Sequence, residues 1–216
     1  MKPSSDTPST SEASTRILEA AERLFAERGY DGVSIRDIAE AAGVSKANVF
    51  HHFANKWELY RAVINRCSDS FRELLEAHYA SATSWHSLFD QFAALHLRRT
   101  LDYPSTTRLF LRQLLGDDIP EGRELLESNI ERSFRLTLSI IQDYQKRGEI
   151  AADFDPSVLA LTLLGSHLAL FLLRGVLARS DDGQRTVDPG YYHQAVMKLL
   201  FNGIRPAQAP QSEEQP

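Results

Sequence analysis

The stretch IRDIAEAAGVSKANVFHHF, residues 35–53, contains two short helical segments separated by one small turn. Ser34 precedes the first segment, and Asp37 three residues later completes a pattern typical of a capping box. Gly43 ends that segment, and Ser45 is placed to cap the second. Two capped helices joined by so short a turn predict a helix-turn-helix unit.

The spacing of small and aliphatic residues in this stretch fits two closely packed helices. Ala39 lets the helices approach, Gly43 tolerates positive φ in the turn, and Val49 supplies a buried aliphatic on the second helix. Ile38 and Val44 complete a small core. The whole set, placed between two capped helices, is far more specific than a glycine and an alanine at loose spacing.

The remaining sequence also predicts helices, because it has no sustained period-two alternation and no hairpin dipeptide between β-branched runs. A first helix is expected from near Thr15 to Gly29, and Asn55 with Glu58 forms a third cap that opens a long helix. Further helices are predicted at Trp85 to about Leu101, Ser105 to Leu115, Gly122 to Arg147, after Pro156 and after Pro189. The fold class is therefore all-α.

This layout predicts an N-terminal head of three short helices, a connecting helix, and a larger helical domain. The head is assigned to residues 14–60, with its helix-turn-helix motif at 34–53, and the larger domain to 61–204. Residues 1–13 and 205–216 are polar and proline-containing, and we expect them to be disordered tails. The first tail has no apolar stretch that could serve as a secretory signal.

Composition limits the classes of function. The net charge of −5 excludes a protein that coats nucleic acid through overall positive charge, although five bases against three acids give residues 33–66 a local charge of +2. Cys67 is the single cysteine, which excludes an internal disulfide and thiolate-rich zinc sites and fits the reducing cytoplasm. No phosphate-binding glycine loop or nucleophile elbow is present, so we expect no enzymatic activity and no cofactor.

The apolar segment from 158 to 177 is long enough to raise the possibility of a membrane-spanning helix. Ser166 and His167 fall in its middle, Arg174 lies within it, and its flanks are acidic. We therefore expect no membrane association, and a helix that is buried on nearly all sides of a soluble protein.

Two helices carry more apolar surface than one core can cover. The helix from Gly122 has one stripe of Leu126, Ile130, Phe134, Ile141 and Tyr144, and a second apolar side. This second side and the apolar helix after Pro156 are the predicted homodimer interface, with the candidate residues Leu136, Ile140, Leu164, Leu168 and Leu172. The alternative is a thick monomeric bundle that buries both.

The sequence AAERLFAERGYDGVSIRDIAEAAGVSKANVFHHFANKWEL, which begins at Ala20, resembles the TetR family of bacterial transcriptional regulators. The specific resemblance covers about Thr15 to Val63, and beyond Leu59 it is one of layout. It implies a DNA-binding head, a connecting fourth helix and a sensor domain that dimerises through its last long helices. The implied function is a regulator, most simply a repressor, which leaves a palindromic double-stranded operator when a small-molecule effector binds.

The resemblance assigns residues 45–52 to the recognition helix, and a helix in the major groove presents its N-terminal residues to the bases. Phe50 stands where the family usually has tyrosine, so a phenol hydroxyl that could bond a phosphate is missing. Asn48 instead supplies an amide suited to an adenine edge. The predicted DNA-binding residues are Ser34, Arg36, Ser45, Lys46, Ala47, Asn48, Phe50, His51, His52 and Lys56.

The histidines of the sequence are also candidates for binding. His51 and His52 are adjacent, so on a helix they point about 100° apart and do not form the usual i, i+4 metal pair. We expect no metal site, and predict that at least one of them faces DNA; simple exposure is the alternative.

A ligand cavity is predicted in the larger domain, where His96 and His167 lie on apolar helices and could provide polar contacts. The predicted lining comprises Phe89, Phe92, His96, Phe110, Gln113, Phe134, His167 and Phe171, for each of which plain core is the alternative. A second function remains open: an all-helical ligand-binding or scaffold protein whose head docks a protein partner.

Overall fold

A computed structural model of the chain describes residues 10–116, 119–181 and 183–202, and within these ranges it contains helices and no strands. The all-α prediction is confirmed. The helices are α1 Thr10–Arg28, α2 Ile35–Ala42, α3 Lys46–His52, α4 Lys56–Ser81, α5 Trp85–Asp102, α6 Pro104–Leu115, α7 Pro120–Lys146, α8 Pro156–Leu177 and α9 Pro189–Asn202.

The helices begin where the sequence offers a capping side chain or a proline. Side chains of Asn55, Ser84 and Asp155 cap α4, α5 and α8, and prolines occupy the first turn of α6, α7 and α8. Helix α1 begins at Thr10, earlier than the predicted Thr15, and it carries an acidic residue in its first turn. Residues 10–13, predicted as tail, are therefore helical, whereas 1–9 and 205–216 lie outside the described residues.

The core of the head continues into the larger domain. Residues of α1, α2, α3 and α4 form one buried cluster, and Leu109 of α6 and Leu126 of α7 belong to the same cluster. Helix α6 packs on α1, and α7 packs on α4. The packing therefore has no break at residue 60, where the boundary of the head was predicted.

Helix α7 differs from the predicted pattern at two positions. Ile130 was expected in the buried stripe but is 38% exposed, because the neighbouring Asn129 occupies the buried position. The Asn129 Nδ2 donates to Asn65 Oδ1 and to the Leu125 carbonyl, both at 3.0 Å, so this polar side chain is satisfied inside the subunit.

Ile140 was predicted at the subunit interface, and this prediction is wrong. Its side chain is 4% exposed and belongs to a core cluster with Leu75 of α4 and Leu88 of α5. Leu136 and Leu164 pack partly against the same cluster. The second apolar side of α7 is therefore covered within one subunit.

Judged by length and composition alone, helix α8 is long and apolar enough to cross a membrane. The prediction that it is buried on nearly all sides is wrong for a single subunit, because its neighbours α5 and α7 cover one face. The exposed apolar residues of the other face are Val158, Leu161, Leu172, Leu173 and Val176. We call these five residues the α8 face.

Candidate DNA-binding surface and sensor core

The first helix of the motif starts with a complete capping box. The Ser34 hydroxyl accepts a hydrogen bond from the Asp37 backbone N–H at 3.2 Å, and the Asp37 carboxylate accepts one from the Ser34 backbone N–H at 2.8 Å. Hydrogen bonds from Ser34 hold the pKa of the Asp37 carboxyl below its ordinary value. Ser34 was predicted to contact DNA, but its side chain already forms the N-terminal cap of α2.

The turn between α2 and α3 depends on Gly43. This residue has φ 64° and ψ 38°, a left-handed conformation that side chains with a Cβ rarely adopt. An atom added at its Cβ would meet only the Arg16 guanidinium, at 3.8 Å, so backbone conformation and not space requires glycine. Arg16 of α1 therefore lies beside the turn, and its Nε is buried without a hydrogen-bond partner in the described part of the chain.

The recognition helix α3 has one buried and one exposed side. Ser45 caps it by accepting from the Asn48 N–H at 3.1 Å, and Val49 is fully buried in the head core. Lys46, Ala47 and Phe50 are exposed. The Phe50 ring is 45% exposed, and the Lys46 Nζ lies 5.7 Å from its centroid. A helix that enters the major groove needs one anchored and one exposed side, and α3 has both.

Asn48 does not point straight at solvent. The residue is half-buried, and its Oδ1 is buried and accepts no hydrogen bond from the described residues. An unpaired amide oxygen in such a place costs free energy, on the order of 1 to 3 kcal/mol. The predicted adenine contact therefore requires the Asn48 side chain to rotate outward, which would also relieve this cost.

Lys56 is held in place at the start of α4. Its Nζ lies 4.2 Å from the centroid of the Tyr30 ring, and burial lowers the pKa of its ammonium group. The Asn55 side chain caps the same helix through the Glu58 N–H at 2.9 Å. The helix N-terminus and the adjacent ammonium group together favour an anion here, which agrees with a phosphate contact.

The adjacent histidines are arranged differently from a metal pair. The rings of His51 and His52 lie 5.2 Å apart at 72°, and His51 is exposed whereas His52 is half-buried. No group of three His, Cys, Asp or Glu side chains in the described ranges is placed to hold a metal ion.

A histidine pair lies in the core of the larger domain. The Nδ1 atoms of His96 and His167 are 2.8 Å apart, so one proton is shared between them in a single hydrogen bond. Burial lowers the pKa of His96 to about 4, and burial with the nearby His96 and His193 lowers that of His167 to about 3. Both imidazoles are therefore neutral near pH 7, and the buried His167 Nε2 has no partner among the described residues.

The comparison with known proteins identifies the family. Residues 17–63 match the model of the bacterial regulatory proteins of the tetR family. The HTH-type transcriptional repressor AcnR of Corynebacterium glutamicum is 43% identical over 169 residues, covering 77% of this chain and 84% of the relative. The chain belongs to the TetR family of transcriptional regulators. The regulator RutR of Escherichia coli is 28% identical over 199 residues, 88% of this chain and 89% of its own.

Two solved structures show the same fold. FadR of Bacillus subtilis, solved in complex with stearoyl-CoA, gives a TM-score of 0.68 at 19% identity and covers 88% of this chain and 99% of its own. AibR, solved with isovaleryl coenzyme A and operator DNA, gives 0.64 at 22% identity, with coverage of 88% and 98%. Like other TetR-family members, the chain is a DNA-binding transcriptional regulator and not an enzyme.

The structure brings together only part of the predicted ligand lining. The rings of Phe92 and His96 stack at 5.7 Å beside His167. Phe89 and Phe134 belong to another cluster, and Phe171 to a third one. Phe110 packs against the core of the head, and Gln113 is fully buried near it. The eight residues therefore belong to several packing clusters, because helical periodicity identifies apolar faces without showing which faces meet. A common ligand cavity stays a prediction.

Gln113 has a structural role that the sequence does not reveal. Its Oε1 accepts from the Tyr60 hydroxyl of α4 at 2.7 Å, and its Nε2 donates to the Ile119 carbonyl at 3.0 Å. These bonds join the connecting helix to α6 and to the start of α7. The sequence placed Gln113 in a predicted ligand cavity but did not show these bonds, and it gave no reason to single out Arg16 at the turn, since neither residue lies in a recognisable motif.

Proposed function

We propose that this TetR-family regulator is a homodimeric repressor that binds an inverted-repeat operator and leaves it when a small molecule binds the helical domain. The single observation that carries the proposal is α3, which buries Val49 in the head and exposes Lys46, Ala47 and Phe50 on one side. A major-groove helix needs this division between an anchored and a readable side. The relative AcnR is named a repressor, which supports the same sign of regulation.

Each polar or exposed residue of this surface then has a contact with DNA. Lys46, Arg36 and Lys56 neutralise phosphates, while Phe50 offers an apolar surface to a thymine methyl group in place of a hydroxyl to a phosphate. Asn48 rotates outward to an adenine edge, as its half-buried amide requires. His51, which is exposed near the end of α3, contacts the backbone of the operator.

The dimer forms through the α8 face. This face exposes five large aliphatic side chains on a helix whose opposite side is buried, and an apolar surface of that kind is typical of a subunit interface. Leu172 was predicted for this role, and Leu161 is exposed to a similar extent. Covering the α8 face in a dimer would explain why α8 is so apolar without placing it in a membrane. The protein is then cytoplasmic.

Effector binding is transmitted through the contacts between the two parts of the chain. A ligand that engages the histidine pair changes the packing of α5 and α8, and α6 and α7 carry the change to α1 and α4. Two heads must match half-sites about 34 to 36 Å apart, so a small rotation of the heads is enough to lose affinity. Solved structures of the same fold hold acyl thioesters of coenzyme A, which makes this class a candidate effector.

Selection of bound sequences from random double-stranded DNA tests the proposal. The expected product is a palindrome that binds less tightly to the Lys46→Ala variant. If no sequence is enriched and the affinity for DNA does not fall with rising salt, the head serves another purpose, such as docking a protein partner.

A further inference from the structure

An open groove of about 450 Å³ lies where the head helix α1 meets α6 and α8. The groove is lined by Arg108 and Arg112 of α6, by Arg174 of α8, and by the apolar side chains of Leu111, Phe171 and Leu172. We call it the arginine groove. None of the residues that line it is acidic, and its charged lining residues are the three arginines. Leu172 also belongs to the α8 face, so the groove lies at the edge of the proposed dimer interface.

Two of the guanidinium groups are oriented by bonds to the backbone. Arg174 donates from Nη1 to the Leu101 carbonyl at 3.2 Å and lies 5.7 Å from the centroid of the Phe171 ring. Arg112 donates from Nη2 to the Glu27 carbonyl of α1 at 3.4 Å. Since a guanidinium carries five N–H donors, one backbone bond fixes the direction of the Arg174 group while other donors remain for a ligand. Arg108 is exposed at the rim.

We propose that the arginine groove binds the phosphate groups of an amphipathic effector whose apolar arm lies along α8. Planar guanidinium groups match phosphate oxygens in bidentate pairs, which a single ammonium group does not. Phe171 lies one helical turn after His167, on the same side of α8, so an arm that passes Phe171 runs towards the histidine pair. This inference rests on the proposed function, because it places one end of the proposed effector.

The position of the groove gives its occupant a regulatory role. Ala26 of α1 forms part of the wall, and the bond from Arg112 to the Glu27 carbonyl crosses from α6 to the head. A bound phosphate therefore contacts α6 and α8 and lies beside the last turn of α1. If the effector binds one orientation of the head more tightly than another, its binding shifts the population towards the orientation that it prefers.

The test uses the full chain, with coenzyme A, stearoyl-CoA and stearate as probes in titration calorimetry. Stearoyl-CoA should bind most tightly, since only it combines phosphates with a long arm. Arg108→Glu should weaken its binding about tenfold or more, the usual effect of losing one charged hydrogen bond. Arg98→Glu on α5 makes the same charge change at an exposed residue outside the groove and should leave affinity within about twofold.

Three results would overturn the assignment: none of the probes binds, both variants bind stearoyl-CoA equally, or stearate binds as tightly as stearoyl-CoA. A fourth is a monomeric Arg108→Glu variant with unchanged probe affinity, which would make the groove a contact with a second copy. DNA binding by the wild-type chain is measured without probes. A chain that binds probes but no DNA would contradict the proposed function and leave the groove standing.

Discussion

Replacing Tyr60 by phenylalanine removes one hydroxyl from the junction between the connecting helix and the sensor domain. Tyr60 and Gln113 are both almost fully buried, and the lost bond is the 2.7 Å contact from the Tyr60 hydroxyl to Gln113 Oε1. The remaining ring keeps its packing against Phe25, whose centroid lies 5.0 Å away. The substitution therefore removes the Tyr60 donor from the buried Gln113 amide oxygen and keeps the aromatic ring.

The expected loss follows from that buried oxygen. An unsatisfied buried acceptor costs about 1 to 3 kcal/mol of unfolding free energy. For a chain of this size each kcal/mol lowers Tm by roughly 2 to 4 °C, so Tyr60→Phe should melt about 2 to 12 °C lower. Adding Gln113→Leu should cost less than the two single losses combined, because the double variant strands no Oε1.

Differential scanning calorimetry of the four chains measures this coupling. Tyr103→Phe is the matched control, since Tyr103 is well exposed and its loss of a hydroxyl should leave Tm unchanged. Two results would show that this bond does not join the two parts of the chain. One is a Tyr60→Phe variant with the Tm of the wild type, and the other is a double variant whose loss in Tm equals the sum of the two single losses.

Three further predictions address the DNA surface, the dimer and the histidine pair. Measured by fluorescence anisotropy, Lys46→Ala should lower operator affinity and reduce the slope of log affinity against log salt by about 2 for two heads. The control Lys198→Ala, at an exposed position, should leave both the affinity and the slope unchanged. Leu161→Glu should give a monomer in sedimentation equilibrium, whereas Leu115→Glu, at an 82% exposed position outside the α8 face, should stay dimeric. In the folded chain the pKa values of His96 and His167, about 4 and about 3, lie below the ordinary 6.5. Between these folded values and pH 6.5, the unfolded chain therefore binds more protons than the folded chain. The free energy of unfolding, measured with urea, should therefore be highest above about pH 6.5 and fall towards pH 4. In the His167→Gln variant it should fall less steeply with decreasing pH, and an equal slope would contradict the neutral pair.

Local signals predicted much of this fold. Ser34, Ser45 and Asn55 cap the helices that their spacing assigned to them, and Gly43 adopts the left-handed turn. Caps and turn residues act over three or four positions, so one sequence contains the whole interaction. Ile38, Ala39 and Val49 are buried in the head, as their spacing required.

Contacts between distant helices could not be read in the same way. Ile130 and Ile140 both lie on apolar sides of α7, and only the positions of α4 and α5 decide that Ile140 is buried. The bond between Tyr60 and Gln113 spans 53 residues and has no local signature. The pairing of His96 with His167 likewise depends on how α5 meets α8, although the apolar setting of each histidine was visible in the sequence.

The most direct test of a dimeric reader of inverted repeats is the binding of one selected operator and of a variant with five base pairs inserted between its half-sites. Five base pairs rotate one half-site by about half a helical turn, which two linked heads cannot both follow. We expect the insertion to abolish high-affinity binding and a ten-base-pair insertion to restore part of it. Equal affinity for all three DNAs would contradict binding by two coupled heads.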